Sequence, residues 1–258
     1  MERDERSRQV MQRLKALPGK IGFEAFCPET GERIAWQETE PMEAASVMKL
    51  TVMAEMFRRF EAGEDDPEAV VTIREEDKKP SCGALTYLHT GLRVTVMDLV
   101  TLMIILSDNT ATNLLIDRAG MDRINAGIDR LGLEGTRINR KLYQPELSRQ
   151  GIQNYVSAGG MRKLLQMILQ GELVSPEASA RMLKILGDQR LNGKIPFYLH
   201  SRGIKTAHKT GEDDGITHDV GIIFSRPVWI MCFLSNRTDV PEAERAMQEI
   251  AALLADGN

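Results

Sequence analysis

Ser46 and Lys49 stand three positions apart at the start of a segment, residues 46–60, whose apolar spacing predicts a helix. Residues three apart share a helix face, so the hydroxyl and the amine are expected within hydrogen-bond reach. A serine becomes a nucleophile when a base takes its proton, and a desolvated lysine is such a base. The helix N-terminus would add partial positive charge and free N–H groups. Alone, this four-residue pattern favours a simpler interpretation, a capping serine beside an unrelated surface lysine.

Two further polar triplets are placed where they could face a cleft. Ser107-Asp108-Asn109 directly follows an apolar helix predicted at residues 95–106. Lys209-Thr210-Gly211 lies at the end of a predicted strand, where the glycine permits close backbone approach. Taken singly, the first is more often a helix end followed by a cap, and the second is weak evidence for any site.

The three motifs together are far more specific than any one of them. They occur in the order S-x-x-K, S-D-N and K-T-G, separated by about 60 and about 100 residues. This set, on a helix start, an interhelical loop and a strand, resembles the class A β-lactamases and penicillin-binding proteins. The resemblance extends over residues 10–254, and its longest stretches are SDNTATNLLIDRAG and HKTGEDDGITHDVGI. The S-D-N triplet favours class A over class C, whose members carry a tyrosine motif there.

The resemblance implies a role for each motif residue. Ser46 would be the acylated nucleophile, Lys49 would help to deprotonate it, and Ser107 would relay a proton to the leaving β-lactam nitrogen. Asn109 would hydrogen-bond the side-chain amide of the substrate. Lys209 and Thr210, before Gly211, would bind its carboxylate. The backbone N–H groups of Ser46 and Glu212 would form the oxyanion hole, which meets charge that develops in the transition state.

The loop after the S-D-N motif departs from the family pattern. Class A enzymes carry a glutamate there, usually as E-x-x-L-N, which activates the water that hydrolyses the acyl-enzyme. Aligning on Pro-Glu-Leu places Gln144 at the glutamate position and Ser148 at the asparagine position. Glutamine cannot act as a general base. A shifted loop would bring in Glu146 as the catalytic carboxylate instead, although a solvent-facing role for it is favoured, and Asn154 could replace the missing asparagine.

The pattern along the chain predicts an α+β fold. A hairpin near residues 21–37 and strands between residues 205 and 235 are expected to form one antiparallel sheet, flanked by the first and last helices. Residues 95–187 read as helices, with a long loop at 133–158. We therefore expect an α/β lobe of residues 1–50 and 195–258 and a helical lobe of residues 51–194, with the active site between them. His208 and His218 flank the K-T-G strand and could line this cleft.

Composition excludes several classes of function. Lys and Arg total 33 against 37 Asp and Glu, which gives no electrostatic footprint for nucleic acid or an anionic membrane. The apolar runs are too short for a membrane span. Three cysteines at unpatterned spacings indicate free thiols, and we expect no metal or cofactor. No signal peptide is visible at the charged N-terminus. The chain is expected to be cytoplasmic as written, or secreted or periplasmic if a leader was removed, and to be a monomer.

The sequence is compatible with four functions. The first is a serine β-lactamase acting on a small-molecule β-lactam, and the second is a penicillin-binding or penicillin-sensing protein that acylates but deacylates slowly. The third is an esterase or peptidase of the same type acting on another acyl substrate. The fourth, a helical scaffold that merely kept the motifs, is disfavoured because all three motifs are intact.

Overall fold

Strand-forming segments at the two ends of the chain come together in one sheet, with helices between them. The computed structural model describes residues 3–80 and 82–256. In chain order the strands are β1 (Lys20–Phe26), β2 (Arg33–Trp36), β3 (Met42–Glu43), β4 (Val70–Thr72), β5 (Arg93–Thr95), β6 (Tyr155–Val156), β7 (Thr206–Asp213), β8 (Ile216–Ile223) and β9 (Trp229–Asn236). The helices are α1 (Arg3–Ala16), α2 (Lys49–Glu61), α3 (Val96–Ile105), α4 (Asn109–Ala119), α5 (Met121–Leu131), α6 (Pro145–Arg149), α7 (Ala158–Gln170), α8 (Pro176–Gly187), α9 (Phe197–His200) and α10 (Val240–Ala255).

The main sheet has the order β2-β1-β9-β8-β7, and its neighbouring strands are antiparallel. Its central strands are buried on both faces, and the rings of Phe23 and Phe233 meet edge to face across β1 and β9. Helices α1 and α10 cover one face, and α7 lies against β1, β8 and β9. The predicted α+β class is therefore confirmed. The residue boundaries of the two lobes stay a prediction.

Helix α2 is the central element of the helical region. Its residues from Lys49 to Phe57 are all buried, and it packs against α3, α4, α5 and α8. The 3-10 turn Ala45–Met48 precedes it and packs against β7 and β8. This packing places Ser46 and the start of α2 beside β7, the edge strand of the sheet.

Side-chain caps set several helix starts that the sequence predicts. Thr95 and Asp98 bond each other's backbone N–H groups at the start of α3, as their capping-box spacing predicts. Ser175 accepts from Ala178 N–H ahead of Pro176 in α8. Asp108 caps α4 in the same way, through Ala111 N–H. The middle residue of the S-D-N motif thus has a structural role.

The structure differs from the sequence expectation in three places. The predicted loop at 133–158 contains the short helix α6 and the strand β6, which pairs with β3. A small ribbon of β4 and β5 has no counterpart in the prediction. The K-T-G motif lies in the middle of β7 and not at its end, because the strand continues to Asp213. Short segments such as these carry too few residues for periodicity to show.

The structure bears on the apolar runs and the cysteines of the sequence. In the described part of the chain, no helix is both long enough and apolar enough to cross a membrane. The three cysteines carry free thiols, with Cys27 and Cys232 buried and Cys82 exposed.

Candidate active site

Ser46 lies inside a 3-10 turn, and not at the cap of an α-helix as its spacing predicted. The preceding Ala45 has a positive φ of 40°, which is uncommon for a residue with a side chain. Ser46 is half-buried and lines a cleft with a volume of about 520 Å³, which is within the range of small-molecule sites. Backbone strain at the residue before Ser46 is typical of functional sites.

The amine of Lys49 is fully buried beneath the cleft. It donates to the carbonyl of Ser107 at 2.7 Å, to Ser107 Oγ at 3.0 Å and to Asn109 Oδ1 at 2.9 Å. Among the hydrogen bonds of the described residues, Lys49 therefore pairs with the S-D-N motif, and the expected Ser46–Lys49 bond is not one of them. The first two motifs are nevertheless brought together.

Ser107 is held between two lysines. Its Oγ accepts from Lys49 Nζ and from Lys209 Nζ, each at 3.0 Å. A hydroxyl oxygen has two acceptor positions and one proton. Because both acceptor positions are taken by lysines, the Ser107 proton is left for a third partner. Ser107 lines the cleft and has a strained backbone, with φ of 55°.

Burial favours the neutral forms of both lysines, and the charge of a neighbouring lysine adds to the effect in each case. Burial, followed by the charge of Lys209, holds the pKa of Lys49 well below its ordinary value. Burial also lowers the pKa of Lys209 to about 7, although the nearby Asp219 charge opposes this. The site therefore holds two amines that lose their proton at a lower pH than an exposed lysine does. A buried lysine of this kind is suited to act as a base.

The S-D-N motif is tied through its middle residue, Asp108, to the loop at residues 82–85. Asp108 Oδ2 accepts the N–H groups of Ala84 and Leu85, at 2.8 and 2.9 Å. Gly83 has φ of +119°, and a Cβ there would overlap the Asp108 carboxylate. Asn109, whose Oδ1 receives Lys49, lines the cleft beside Cys82.

Strand β7 brings the K-T-G motif against the Ser46 turn. A Cβ on Gly211 would lie 3.2 Å from Val47 Cγ2 and 3.3 Å from Ala45 Cβ. These contacts are tighter than normal packing, so a side chain at this position would push the strand and the turn apart by a few tenths of an ångström. Thr210 and Gly211 line the cleft, whereas Lys209 lies below its floor, fully buried.

The backbone of Glu212 has a definite direction. Lys194 Nζ donates to the carbonyls of both Gly211 and His218, at 3.2 and 3.3 Å, and these two residues are direct partners across β7 and β8. A single amine can reach the carbonyls of two paired residues only if each carbonyl points toward the other strand. This is the case in the hydrogen-bonded type of antiparallel pair, so Gly211 and His218 form such a pair. The N–H of the next residue, Glu212, then points to the open edge of the sheet, because β7 is the edge strand.

Amide side chains fasten the loop that forms the opposite part of the cleft. Asn113 bonds the backbone N–H and carbonyl of Leu142, each at 2.9 Å. Asn154 Oδ1 accepts the N–H groups of Asn139 and Arg140, at 2.8 and 3.0 Å. The sequence offers Asn154 as a replacement for the family asparagine. The structure gives it this loop-fastening role, and it also lines the cleft.

Gln144 and Glu146 occupy different environments. Gln144 lines the cleft, and its Oε1 accepts Lys141 N–H at 2.8 Å. Glu146 lies in α6 with 76% of its side chain exposed and pairs with Arg149 at 3.2 Å. Glu146 is not among the described residues that line the cleft. This placement favours the direct Pro-Glu-Leu alignment over a shifted loop.

The Asn113 clamp gives a stability prediction. Replacing Asn113 with Ala leaves the half-buried N–H and carbonyl of Leu142 without their partner. We expect a loss of about 1–3 kcal/mol in unfolding free energy, measured by urea denaturation. Asn139→Ala is the control, because its exposed side chain makes one bond, to Gln153 O, and should change stability by less than about 0.5 kcal/mol. Equal effects of the two variants would contradict the clamp.

The two histidines near β7 do not line the cleft. His218 is fully buried, with Nε2 donating to Glu43 O and Nδ1 accepting Ser235 N–H. Burial lowers the pKa of His218 to about 4, so the ring is neutral and acts as a brace between strands. His208 pairs with Asp219 at 2.9 Å in the core. The expectation that they could line the site is therefore wrong; the register of β7 and β8 places the two rings on opposite faces of the sheet, and both rings are buried there.

Sequence reasoning missed Asn113 and Lys194. Asn113 had a detectable signal, because it lies four residues after Asn109 and so shares its helix face. Lys194 had none: it is an isolated lysine before Ile195, and only the tertiary structure brings it to β7.

Comparison with known proteins agrees with this geometry. A model of the β-lactamase enzyme family matches residues 5–257. The chain is 31% identical to the β-lactamase from Sphaerobacter thermophilus, with a TM-score of 0.88 over 98% of this chain and 97% of that one. It is 25% identical to PBP-A, with a TM-score of 0.87 over 97% and 94% of the two chains. An ancestral class A β-lactamase, 23% identical, shares the fold with a TM-score of 0.85 over 97% and 99%. The chain therefore belongs to the β-lactamase enzyme family.

Proposed function

We propose that this protein opens the amide bond of β-lactams by forming an acyl-enzyme on Ser46, and that the acyl-enzyme is hydrolysed slowly. The observation that carries the proposal is the position of Ser107, whose Oγ accepts from Lys49 and Lys209 at 3.0 Å each beside the Ser46 turn. This cluster provides a base, a proton relay and a nucleophile at one cleft. The family match supports hydrolase chemistry of this type.

Each step of acylation has a group to perform it. Ser46 Oγ attacks the lactam carbonyl while its proton passes to neutral Lys49, which keeps only two of its three N–H donors and so has a lone pair to accept it. Ser107 gives its proton to the ring nitrogen as the C–N bond breaks, and Lys49 replaces that proton across the 3.0 Å contact. The negative oxygen is stabilised by the N–H groups of Ser46 and Glu212. Asn109 and Thr210, which line the cleft, would contact the substrate amide and carboxylate.

Slow hydrolysis of the acyl-enzyme is expected from the residues of the loop at 139–154. Deacylation needs a base for the attacking water. Among the described residues, the cleft-lining part of loop 139–154 contains Gln144 and no carboxylate. The carboxylates that line the cleft, Glu43, Glu212 and Asp213, come from β3 and β7. General-base assistance contributes typically 10²–10⁴-fold, so its loss on this side would leave the acyl-enzyme long-lived.

The proposal predicts burst kinetics with a chromogenic cephalosporin. We expect a fast release of about one product per protein molecule, followed by a slow steady rate. Rapid linear hydrolysis would instead indicate an efficient β-lactamase. No reaction with a cephalosporin, combined with turnover of a simple ester, would favour the esterase alternative.

Lys209 gives the site a predicted pH dependence. Its pKa is lowered to about 7, mainly by burial, so the ammonium that would attract a substrate carboxylate is present below pH 7 and is lost as the pH rises. The measured quantity is the acylation rate with penicillin divided by the acylation rate with penicillin methyl ester, both at low concentration. We expect this ratio to fall between pH 6 and pH 9. The expected decrease is about tenfold or more, because a charge-assisted contact contributes about 1.5–3 kcal/mol.

The methyl ester serves as an internal control for this prediction. Lys49 and Ser107 act on both compounds, so their titration cancels in the ratio. A ratio that stays constant through pH 7 would show that Lys209 does not bind the carboxylate.

A further inference from the structure

Lys194 is a buried, charged residue that the acylation scheme leaves without a role. Its side chain is 4% exposed, and the backbone around it is fixed, since Ile195 N–H donates to Asp219 Oδ2 at 3.0 Å. Burying an ammonium group is costly unless several acceptors surround it. Lys194 Nζ has such acceptors in the carbonyls of Gly211 and His218 and in Glu212 Oε1 at 2.9 Å.

The hydrogen bond from Lys194 to the Gly211 carbonyl acts on the peptide unit between Gly211 and Glu212. The carbonyl that receives Lys194 and the N–H of Glu212 belong to the same amide, joined by the Gly211–Glu212 bond. A donor at the oxygen of an amide draws electron density away from its nitrogen, so the N–H becomes a stronger donor. Hydrogen bonds in series strengthen one another in this way, and a charged donor has the larger effect.

We propose that Lys194 is a positioning residue that strengthens the oxyanion hole, by holding and polarising the Gly211–Glu212 peptide from behind β7. The inference rests on the proposed function, since it assigns the Glu212 N–H to the oxyanion hole. Lys194 itself does not contact the substrate. Its charge acts through the peptide, on the oxygen that becomes negative as Ser46 attacks.

Two other observations support an electrostatic role for Lys194. The positive charge of Lys194 helps to lower the pKa of Lys209, after burial as the main cause, and it does the same for His218. Glu244 Oε1 lies 3.7 Å from Lys194 Nζ and is also bonded by Thr217 Oγ1 at 2.9 Å. Glu212 and Glu244 thus balance the charge of Lys194, whose amine still donates directly to the Gly211 carbonyl.

The test compares a transition-state analogue with a substrate in its ground state. A phenylboronic acid adds to the serine nucleophile and places an oxygen anion in the oxyanion hole. We expect Lys194→Met to weaken phenylboronic acid binding about tenfold and to slow acylation by penicillin by a similar factor. The concentration of penicillin that half-saturates acylation should stay nearly constant. The expected loss is smaller than the 10²–10³-fold effect of removing an oxyanion donor outright.

Three variants separate charge from structure. Lys194→Arg keeps the charge and should restore most of the boronic acid affinity. Lys194→Gln keeps a neutral donor and should be intermediate, and it also serves if Lys194→Met does not fold. Lys184→Met removes an exposed lysine on α8, 76% exposed, and should behave as the wild type.

The outcomes distinguish the inference from the function on which it rests. If the wild type binds phenylboronic acid at Ser46 and both uncharged variants bind it equally well, the inference is overturned and the proposed function stands. If the uncharged variants lose affinity for the boronic acid and ground-state affinity for penicillin to the same extent, Lys194 has only a structural role and the inference is again overturned. If the wild type forms neither a boronic acid adduct nor a penicillin adduct, the proposed function fails and the inference fails with it.

Discussion

Ser46→Ala is expected to abolish covalent labelling of the protein by penicillin. No other described serine combines a place in the cleft, a strained preceding residue and a lysine-bound relay hydroxyl nearby. The 3-10 turn that contains Ser46 has no side-chain cap bond. The free energy of unfolding of the Ser46→Ala protein should therefore differ from that of the wild type by less than about 0.5 kcal/mol. Intact-protein mass spectrometry after incubation with penicillin measures the adduct directly.

The control for this variant is a serine outside the cleft. Ser201→Ala, at the exposed end of α9, should be labelled as fully as the wild type. Peptide mapping should place the adduct on the peptide that contains Ser46. An undiminished adduct on Ser46→Ala would show that another residue is the nucleophile.

Gln144→Glu is expected to speed deacylation by about 10²–10⁴-fold, because it supplies a base for water at the cleft-lining loop position. A carboxylate oxygen can accept Lys141 N–H as Gln144 Oε1 does, so the loop should keep its shape. The rate is measured as the decay of the penicillin adduct after removal of free penicillin. Acylation itself should be little changed, since Lys49 and Ser107 are untouched.

Two matched variants test whether position 144 is specific. Gln153→Glu adds a carboxylate to the same loop and cleft but should not speed the decay, because Gln153 Oε1 is held by Arg140 at 2.6 Å. Glu146→Gln removes an exposed carboxylate and should leave the decay unchanged. If Glu146→Gln abolished turnover instead, Glu146 would be the base and the alignment of the loop would be off by two residues.

The sequence was informative where a pattern repeats over many residues. Periodicity located the long helices, and the spacing of Thr95 and Asp98 predicted the capping box of α3. The order of the three motifs predicted that Lys49, Ser107 and Lys209 would share one site. In the structure, Nζ of each lysine lies 3.0 Å from Ser107 Oγ. Motif residues of this kind are predictable because their chemistry needs particular types at particular positions.

Other parts of the site depend on tertiary contacts that no local pattern encodes. The 3-10 turn at Ser46 packs Ala45 and Val47 closely against Gly211, a contact between residues more than 160 positions apart. Lys194 reaches β7 only because the chain before α9 folds behind that strand. The different exposure of Gln144 and Glu146 follows from α6, a helix of five residues that is too short to show periodicity.

The most direct test of a Ser46 acyl-enzyme that turns over slowly is a time course of intact mass after mixing the protein with excess penicillin. We expect a single adduct with the full mass of penicillin to form on every chain, because ring opening releases no fragment. The adduct should persist after free penicillin is removed and then decay slowly to unmodified protein. Hydrolysis of penicillin with no detectable adduct, or an unmodified protein and intact penicillin throughout, would contradict this mechanism.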